Sequence, residues 1–237
     1  IQGNNFLPSI TLPQGLTALA QLDLNQNLLG QITLPASMGS LTNLILSNNQ
    51  LFFSSLTLPA GMTNLTTLLL DHNHLRSLAL PADMTKLAVV DLLGNEVSTL
   101  TIPASLTALT DLDLAINRLG RLTLPAGLTN LANLDLFENI ITNNFTLPSG
   151  LTALTNLDLG VNPFTTFSLP ADATNLVTFS IFFNQLTNLT LPPGMAKLKT
   201  LGLAGGKLTT LNLPAGLTIN VFAALNQTRF AAFSPAG

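Results

Sequence analysis

The chain has 237 residues, of which 47% are hydrophobic and 8% charged, and its formal net charge is −3. Intrinsic disorder is excluded, because disordered chains combine low hydrophobicity with high charge. The eight lysines and arginines are scattered, which argues against nucleic-acid binding, and no apolar run approaches the ~20 residues that a membrane span needs. Cysteine is absent, which excludes disulfides, thiolate metal sites and a cysteine nucleophile.

A repeat of 22 residues runs through almost the whole sequence, and two markers define it. The first marker is a proline that follows an apolar residue, at Pro13, Pro35, Pro59, Pro81, Pro103, Pro125, Pro148, Pro170, Pro192 and Pro214. The second is an asparagine, at Asn5, Asn27, Asn49, Asn73, Asn95, Asn117, Asn139, Asn162 and Asn184. The repeat lengthens only twice, both times after the asparagine, in residues 49–59 and 139–148. A fixed period of this size predicts a solenoid.

Each asparagine lies in a segment of the form "LxLxxNxL", such as residues 112–119. In a strand, the two leucines of "LxL" point to one side and the middle residue to the other. We therefore expect Leu114 to point inward and Ala115 outward. One such strand per coil predicts a parallel sheet over a continuous leucine core. The asparagines are expected to form a ladder, because the amide can satisfy the turning backbone and bridge to the next coil.

The segment "LTLP" alternates in the same way and predicts a second short strand on the opposite side of each coil, with threonine outward. The proline ends this strand because it cannot donate a backbone hydrogen bond. The following "AGLTxL" turns the chain back. The coil thus contains strands and irregular segments, with little regular helix.

These motifs resemble the leucine-rich repeats, most closely the 22-residue repeats of the bacterial internalins ("LTNLTxLxLxxNxI"). The "LTLPAG" half departs from them and is similar to the "LxLPxxL" of other bacterial leucine-rich repeat surface proteins. The resemblance covers nearly the whole chain. It implies a leucine-rich repeat solenoid that is mostly β and irregular, with an extracellular or cell-surface location.

We expect residues 1–237 to form a single solenoid of about ten coils. The sequence starts inside a coil, at "NNFLPSITLPQG" (residues 4–15), and "FSPAG" at the other end is a faded copy of "LTLPAG". Gly206 replaces the ladder asparagine, and residues 218–237 form a degenerate terminal repeat. Both ends read as mid-repeat, which favours either further flanking segments or head-to-tail association.

Candidate binding residues are found at the outward positions, which the repeat leaves free. Four consecutive coils carry aspartate at the middle of "LxL", and two phenylalanines follow this row two coils apart. The predicted binding residues are Asp91, Asp111, Asp113, Asp135, Phe137, Asp158 and Phe182. The stacked carboxylates are either solvated strand residues with asparagine donors beside them or a site for a cationic partner or Ca²⁺. Exposed aromatics next to polar groups are typical of binding hot spots.

The sequence offers little for catalysis or metal binding. His72 and His74 of "DHNH" have ligand chemistry, but the repeat frame separates them. We therefore predict no catalysis, no cofactor and no metal. The leading hypothesis is a non-catalytic module that binds a protein or a surface ligand through the exposed "LxL" face. The alternative is a structural, self-assembling element, such as a filament or surface layer.

Overall fold

The computed structural model describes residues 6–53 and 56–219, together with the backbone of the strands at 221–223 and 232–235. Short strands follow one another along the chain, and the described part contains no helix. In chain order they are β1 (Gln21–Asp23), β2 (Asn43–Ile45), β3 (Phe52–Phe53), β4 (Thr67–Leu69), β5 (His74–Leu75), β6 (Ser77–Ala79), β7 (Val89–Asp91), β8 (Thr99–Thr101), β9 (Asp111–Asp113), β10 (Asn133–Asp135), β11 (Asn156–Asp158), β12 (Thr178–Ser180), β13 (Asn188–Thr190), β14 (Thr200–Gly202), β15 (Thr210–Leu213), β16 (Val221–Ala223) and β17 (Ala232–Pro235). The predicted leucine-rich repeat solenoid is confirmed.

One strand per coil builds the main sheet, which has ten parallel strands in the order β1-β2-β4-β7-β9-β10-β11-β12-β14-β16. The register pairs equivalent positions of successive repeats, so Leu112 lies opposite Val90 and Leu134. The register survives both longer repeats, since Ile45 still pairs with Leu69 and Asp135 with Asp158. The extra residues are accommodated after the ladder asparagine, where no strand of this sheet runs.

The inward leucines of successive coils form a single core that extends from Leu22 to Leu211. Leu114 is fully buried, as predicted. Ala115, which was expected at an outward, exposed position, is only 3% exposed, yet it is not a member of the leucine core. Strand β9 ends at Asp113, so strand alternation alone does not set the exposure of Ala115.

The asparagines run from Asn27 to Asn184 at equivalent positions of successive coils, and every one of these is buried. At Asn117 the side-chain Nδ2 donates to the carbonyl oxygens of Leu114 and Ala115 in its own coil and to that of Leu92 in the coil before. Its Oδ1 accepts a hydrogen bond of 2.8 Å from the backbone N–H of Val97. Each asparagine therefore closes its own bend and ties it to the preceding coil. Asn5 lies outside the described residues.

The residue before each ladder position, including Gly206, adopts a left-handed backbone conformation that the repeat motif did not predict. The φ angles lie between 50° and 69° at Gln26, Asn48, His72, Gly94, Ile116, Glu138, Val161, Phe183 and Gly205. Glycine and asparagine tolerate this conformation, whereas β-branched residues are strained in it. The glycines and the asparagine in this row are the signal that could have revealed it.

The second strand of the coil is less regular than predicted. It forms at β6 and β8, and again at β13, β15 and β17. Residues 31–35, 121–125, 144–148 and 166–170 run in the equivalent place without strand pairing. Several of these gaps follow a glycine, Gly30 or Gly120, or adjoin the longer repeats, where the backbone has more freedom. The predicted outward threonines, such as Thr101 and Thr123, are exposed.

The degenerate repeat predicted at 218–237 lies mostly outside the described residues. Strands β16 and β17 extend the main sheet and the second side, respectively. Within the described part of the chain, no helix has the length and apolar character needed to cross a bilayer.

Candidate binding face

The exposed face of the main sheet places four aspartates side by side. Asp91, Asp113, Asp135 and Asp158, which we call the acidic row, pair in register across strands β7, β9, β10 and β11. They line a shallow groove of about 680 Å³, whose floor includes Val90 and Leu134. Five of the seven predicted binding residues, the four of the acidic row and Asp111, thus line this groove.

Each member of the acidic row also has a local structural role. Its Oδ1 accepts a hydrogen bond from the backbone N–H two residues later, at Leu93, Ala115, Phe137 and Gly160, over 2.7–2.9 Å. This bond satisfies the backbone where the strand ends. It engages Oδ1 of each carboxylate, and Asp158 also forms a side-chain hydrogen bond with Ser180.

Burial raises the pKa of every carboxyl in the acidic row. The pKa of Asp91 and that of Asp135 are each raised to about 6, mainly by desolvation and further by neighbouring carboxylates, against the lowering effect of the backbone hydrogen bonds. Burial also raises the pKa of Asp113 and of Asp158. The charged forms are therefore held in an unfavourable environment, which a cation would relieve.

Asp111 belongs to a different arrangement in the neighbouring row. It accepts hydrogen bonds from Thr110 Oγ1 at 2.6 Å and from Asn133 Nδ2, and Asn156 Nδ2 in turn donates to Asn133 Oδ1 at 2.6 Å. This is the arrangement expected of a carboxylate with asparagine donors beside it. Asp111 therefore contributes negative charge to the groove with both of its oxygens already engaged.

The structure brings the two predicted phenylalanines into contact, although one coil lies between the two coils that carry them. The ring centroids of Phe137 and Phe182 are 5.7 Å apart, and those of Phe182 and Phe183 are also 5.7 Å apart in an edge-on arrangement. Phe183, which is 56% exposed, belongs to the left-handed row. We call these three side chains the aromatic ledge. It borders the groove at the coil of Asp158.

Two exposed isoleucines were not predicted as site residues. Ile116 belongs to the left-handed row and Ile140 follows the ladder asparagine Asn139; both are exposed. Their positions in the repeat could have indicated exposure. Whether an apolar residue at such a position is exposed, however, depends on the surrounding coils.

The two histidines do not converge. His72 Nδ1 lies 2.9 Å from Asp71 Oδ2, whereas His74 lies 3.7 Å from Glu96, which also contacts Arg76 and Arg118. Among the described residues, no group of three or more histidine, aspartate or glutamate side chains is arranged to hold a metal ion.

Comparison with known proteins places the repeats in context. The family described as BspA type leucine rich repeat region (6 copies) matches residues 2–114, 54–157 and 115–228. No curated protein matches the chain in sequence.

Several solved structures are similar to the chain. The functional domain of InlJ from Listeria monocytogenes, which includes a cysteine ladder, is 21% identical with a TM-score of 0.71, over 89% of this chain and 54% of that one. A leucine-rich repeat protein of Leptospira interrogans is 25% identical with a TM-score of 0.52, over 87% and 68%. The Arabidopsis receptor kinase HAESA, solved with the peptide hormone IDA and the co-receptor SERK1, is 27% identical with a TM-score of 0.61, over 89% and 38%. The chain thus spans about half of the InlJ domain and less of HAESA.

Proposed function

Because the chain belongs to the BspA-type leucine-rich repeat family, we propose that it is a non-catalytic module that binds a protein or another surface ligand through the exposed face of its main sheet. The groove is lined by carboxylates, amides, one hydroxyl and apolar groups, a set suited to recognition. The proposal includes an extracellular or cell-surface location, which the family resemblance supports.

The observation that carries the proposal is the acidic row. Asp23 holds the equivalent position in the first coil, but other coils hold Ile45, Leu69, Ser180 and Gly202 there, so the fold does not require a carboxylate. An asparagine could accept the same backbone hydrogen bond without the cost of a desolvated charge. Four adjacent charges kept at such a cost are explained by a ligand that uses them.

The structural relatives support a polypeptide partner. HAESA, to which this chain is 27% identical, was solved with a peptide hormone bound. We extend to this chain only the class of ligand, a polypeptide.

The experiment compares lysine substitutions on the two sides of the same coils. Asn133→Lys/Asn156→Lys places two bulky cations on the groove face, and Thr123→Lys/Thr146→Lys places two on the opposite side. Each variant is immobilised, exposed to host-cell surface extract and to cell-wall fragments, and the captured material is quantified by mass spectrometry. We expect the groove variant to lose ligands that the wild type and the opposite-side variant retain.

Equal capture by all three proteins, or equal loss in both variants, would contradict the use of this face. Light scattering across a range of concentrations tests the alternative function in parallel. A mass that rises with concentration, together with capture unchanged by either variant, would favour a self-assembling element.

A further inference from the structure

We propose that the partner presents an extended segment with arginines that lie along the acidic row and an aromatic side chain that packs on the aromatic ledge. This inference rests on the proposed function and specifies the chemistry of the partner. It follows from how the ledge is built, how it adjoins the carboxylates, and how the coil spacing matches an extended chain.

The rings of the ledge sit in notches that glycines leave open. A Cβ atom on Gly160 would lie 2.6 Å from the Phe182 ring, and one on Gly205 would lie 2.1 Å from the Phe183 ring. Any other residue at either position would displace the ring. The two rings therefore lie against the backbone of neighbouring coils, and the ledge is a supported apolar surface formed before a ligand arrives.

The ledge and the acidic row meet at one point. The position of a Cβ on Gly160 lies 2.6 Å from the Phe182 ring and 3.0 Å from Asp158 Oδ1. A planar guanidinium can stack on an aromatic face and donate to a carboxylate at the same time. Arginine suits this corner better than lysine, which is a compact point charge.

The charge of the groove selects a basic partner. Five aspartates line it, and no lysine or arginine does. Two of the chain's arginines, Arg76 and Arg118, instead contact Glu96 outside the groove. A purely apolar segment would bury carboxylates without partners, and an acidic segment would add repulsion.

The spacing of the coils fixes the pattern of the segment. Successive strands lie about 4.8 Å apart, so two coils span about 9.6 Å. In the extended polyproline II conformation three residues span about 9.3 Å and complete one turn, so every third side chain points the same way. In a segment that runs across the strands, every third side chain thus lies over every second coil. The pattern Arg-x-x-Arg-x-x-aromatic places its arginines near Asp91/Asp113 and Asp135/Asp158 and its ring on the ledge.

The test uses the full chain and fluorescein-labelled synthetic peptides. The probe is Gly-Arg-Ser-Ser-Arg-Ser-Ser-Trp-Gly, with one companion in which glutamates replace the arginines and another in which serine replaces the tryptophan. Affinity is measured by fluorescence anisotropy at low ionic strength and over a salt titration. We expect saturable binding of the probe that weakens with salt, no binding of the glutamate peptide, and weaker binding of the serine peptide.

Protein variants locate the probe. Asp113→Asn/Asp135→Asn should weaken binding about tenfold, while Asp83→Asn/Glu96→Gln removes the same charge outside the groove and should leave affinity within about twofold. Phe183→Ala should weaken binding about fivefold. Its control, Phe52→Ala, removes a ring that is similarly exposed, 50% against 56%, and should have no effect.

Absence of saturable binding, equal binding of the glutamate peptide, or equal responses to groove and control variants would overturn the inference. If the peptides fail while groove-dependent capture from extracts persists, the chemistry assigned to the partner is wrong and the proposed function stands. If the groove variant also captures as much material as the wild type, both the inference and the proposed function are wrong.

Discussion

At the scale of single residues, the acidic row combines two roles in one side chain. Each carboxylate accepts the backbone N–H two residues later, which stabilises the end of its strand. An amide oxygen could accept the same bond, and although the charge strengthens it, desolvation outweighs that gain. The charge is therefore a cost of the folded state, and it becomes visible when pH changes.

We expect the wild type to gain stability as pH falls from 7.5 to 5. The folded-state pKa of Asp91 and that of Asp135 are raised to about 6 from 3.8, so between these values the folded chain binds more protons than the unfolded chain. Asp71, His72 and Asp113 act on Asp91, while Asp113 and Asp158 act on Asp135. The gain is lost as pH rises through 6.

Asp91→Asn/Asp135→Asn should raise the free energy of unfolding at pH 7.5 by about 1 kcal/mol, since solvent screens these half-buried groups. The variant should also flatten the pH dependence. Urea unfolding at pH 7.5 and 5 measures both effects. A variant that is less stable at pH 7.5, or whose pH dependence matches the wild type, would show that the charges are not a cost.

The left-handed row is a second residue-scale feature, and it reveals local strain. Each coil needs one residue with positive φ before its asparagine, whatever residue the sequence supplies. Asn48 and Gly94 suit this conformation, whereas the branched side chains of Ile116 and Val161 do not.

Ile116→Asn should therefore stabilise the protein by about 0.5–1 kcal/mol, as relief of backbone strain outweighs the loss of an exposed apolar side chain. Ile140→Asn is the matched control, because Ile140 is also exposed but lies outside the left-handed row. Denaturant unfolding compares the two variants. Equal changes, or a loss at Ile116, would mean that the coil relieves the strain at this position by other means.

At the scale of the coil, the asparagine ladder links one turn of the solenoid to the next. The Leu114 carbonyl oxygen accepts from Asn117 Nδ2 at 3.1 Å and from Asn139 Nδ2 at 2.9 Å. Adjacent ladder members therefore share an acceptor, and the loss of one leaves the other in place. This sharing predicts that neighbouring asparagines are energetically coupled.

Asn117→Ala and Asn139→Ala should each cost about 1–3 kcal/mol, because each leaves buried backbone groups unpaired. The double variant should cost about 0.5–1 kcal/mol more than the sum, because Leu114 then loses both donors. A double-mutant cycle by urea unfolding measures the excess. The control cycle pairs Asn117→Ala with Asn49→Ala, three coils away, and should be additive. A similar excess in both cycles would refute nearest-neighbour coupling.

At the scale of the whole molecule, the leucine core has no break between Leu22 and Leu211. Each coil buries its leucines against the coils on either side, as nearest-neighbour packing in solenoids requires. A cavity in a central coil therefore weakens the contacts that join the two halves of the array. We expect the described coils to unfold together.

Leu114→Ala should cost about 2–5 kcal/mol, since Leu114 is fully buried and its removal leaves a cavity. The chain has no cysteine, so single cysteines at the exposed positions Thr33 and Thr190 can carry a fluorescent label near either end. Both labels should report the same unfolding midpoint, and Leu114→Ala should shift both equally. Midpoints that separate, or a shift at one label alone, would show independent halves.

The sequence by itself determined what repeats within a coil. The spacing of leucines, prolines and asparagines predicted a solenoid, its parallel sheet, the inward position of Leu114 and the ladder from Asn27 to Asn184. These features were predictable because each follows from local sterics or from one side chain bonding to nearby backbone. The placement of the acidic row in one register was predictable for the same reason.

The tertiary structure decided whatever depends on the neighbouring coil. The burial of Ala115, the incomplete second side and the left-handed conformation at Ile116 all lie beyond simple alternation. Phe182 reaches Phe137 only because the intervening coil has glycine at 160, and the acidic row is desolvated only because the coils stack. A repeat motif specifies its own coil, but packing, exposure and electrostatics arise between coils, where nonrepeating residues meet.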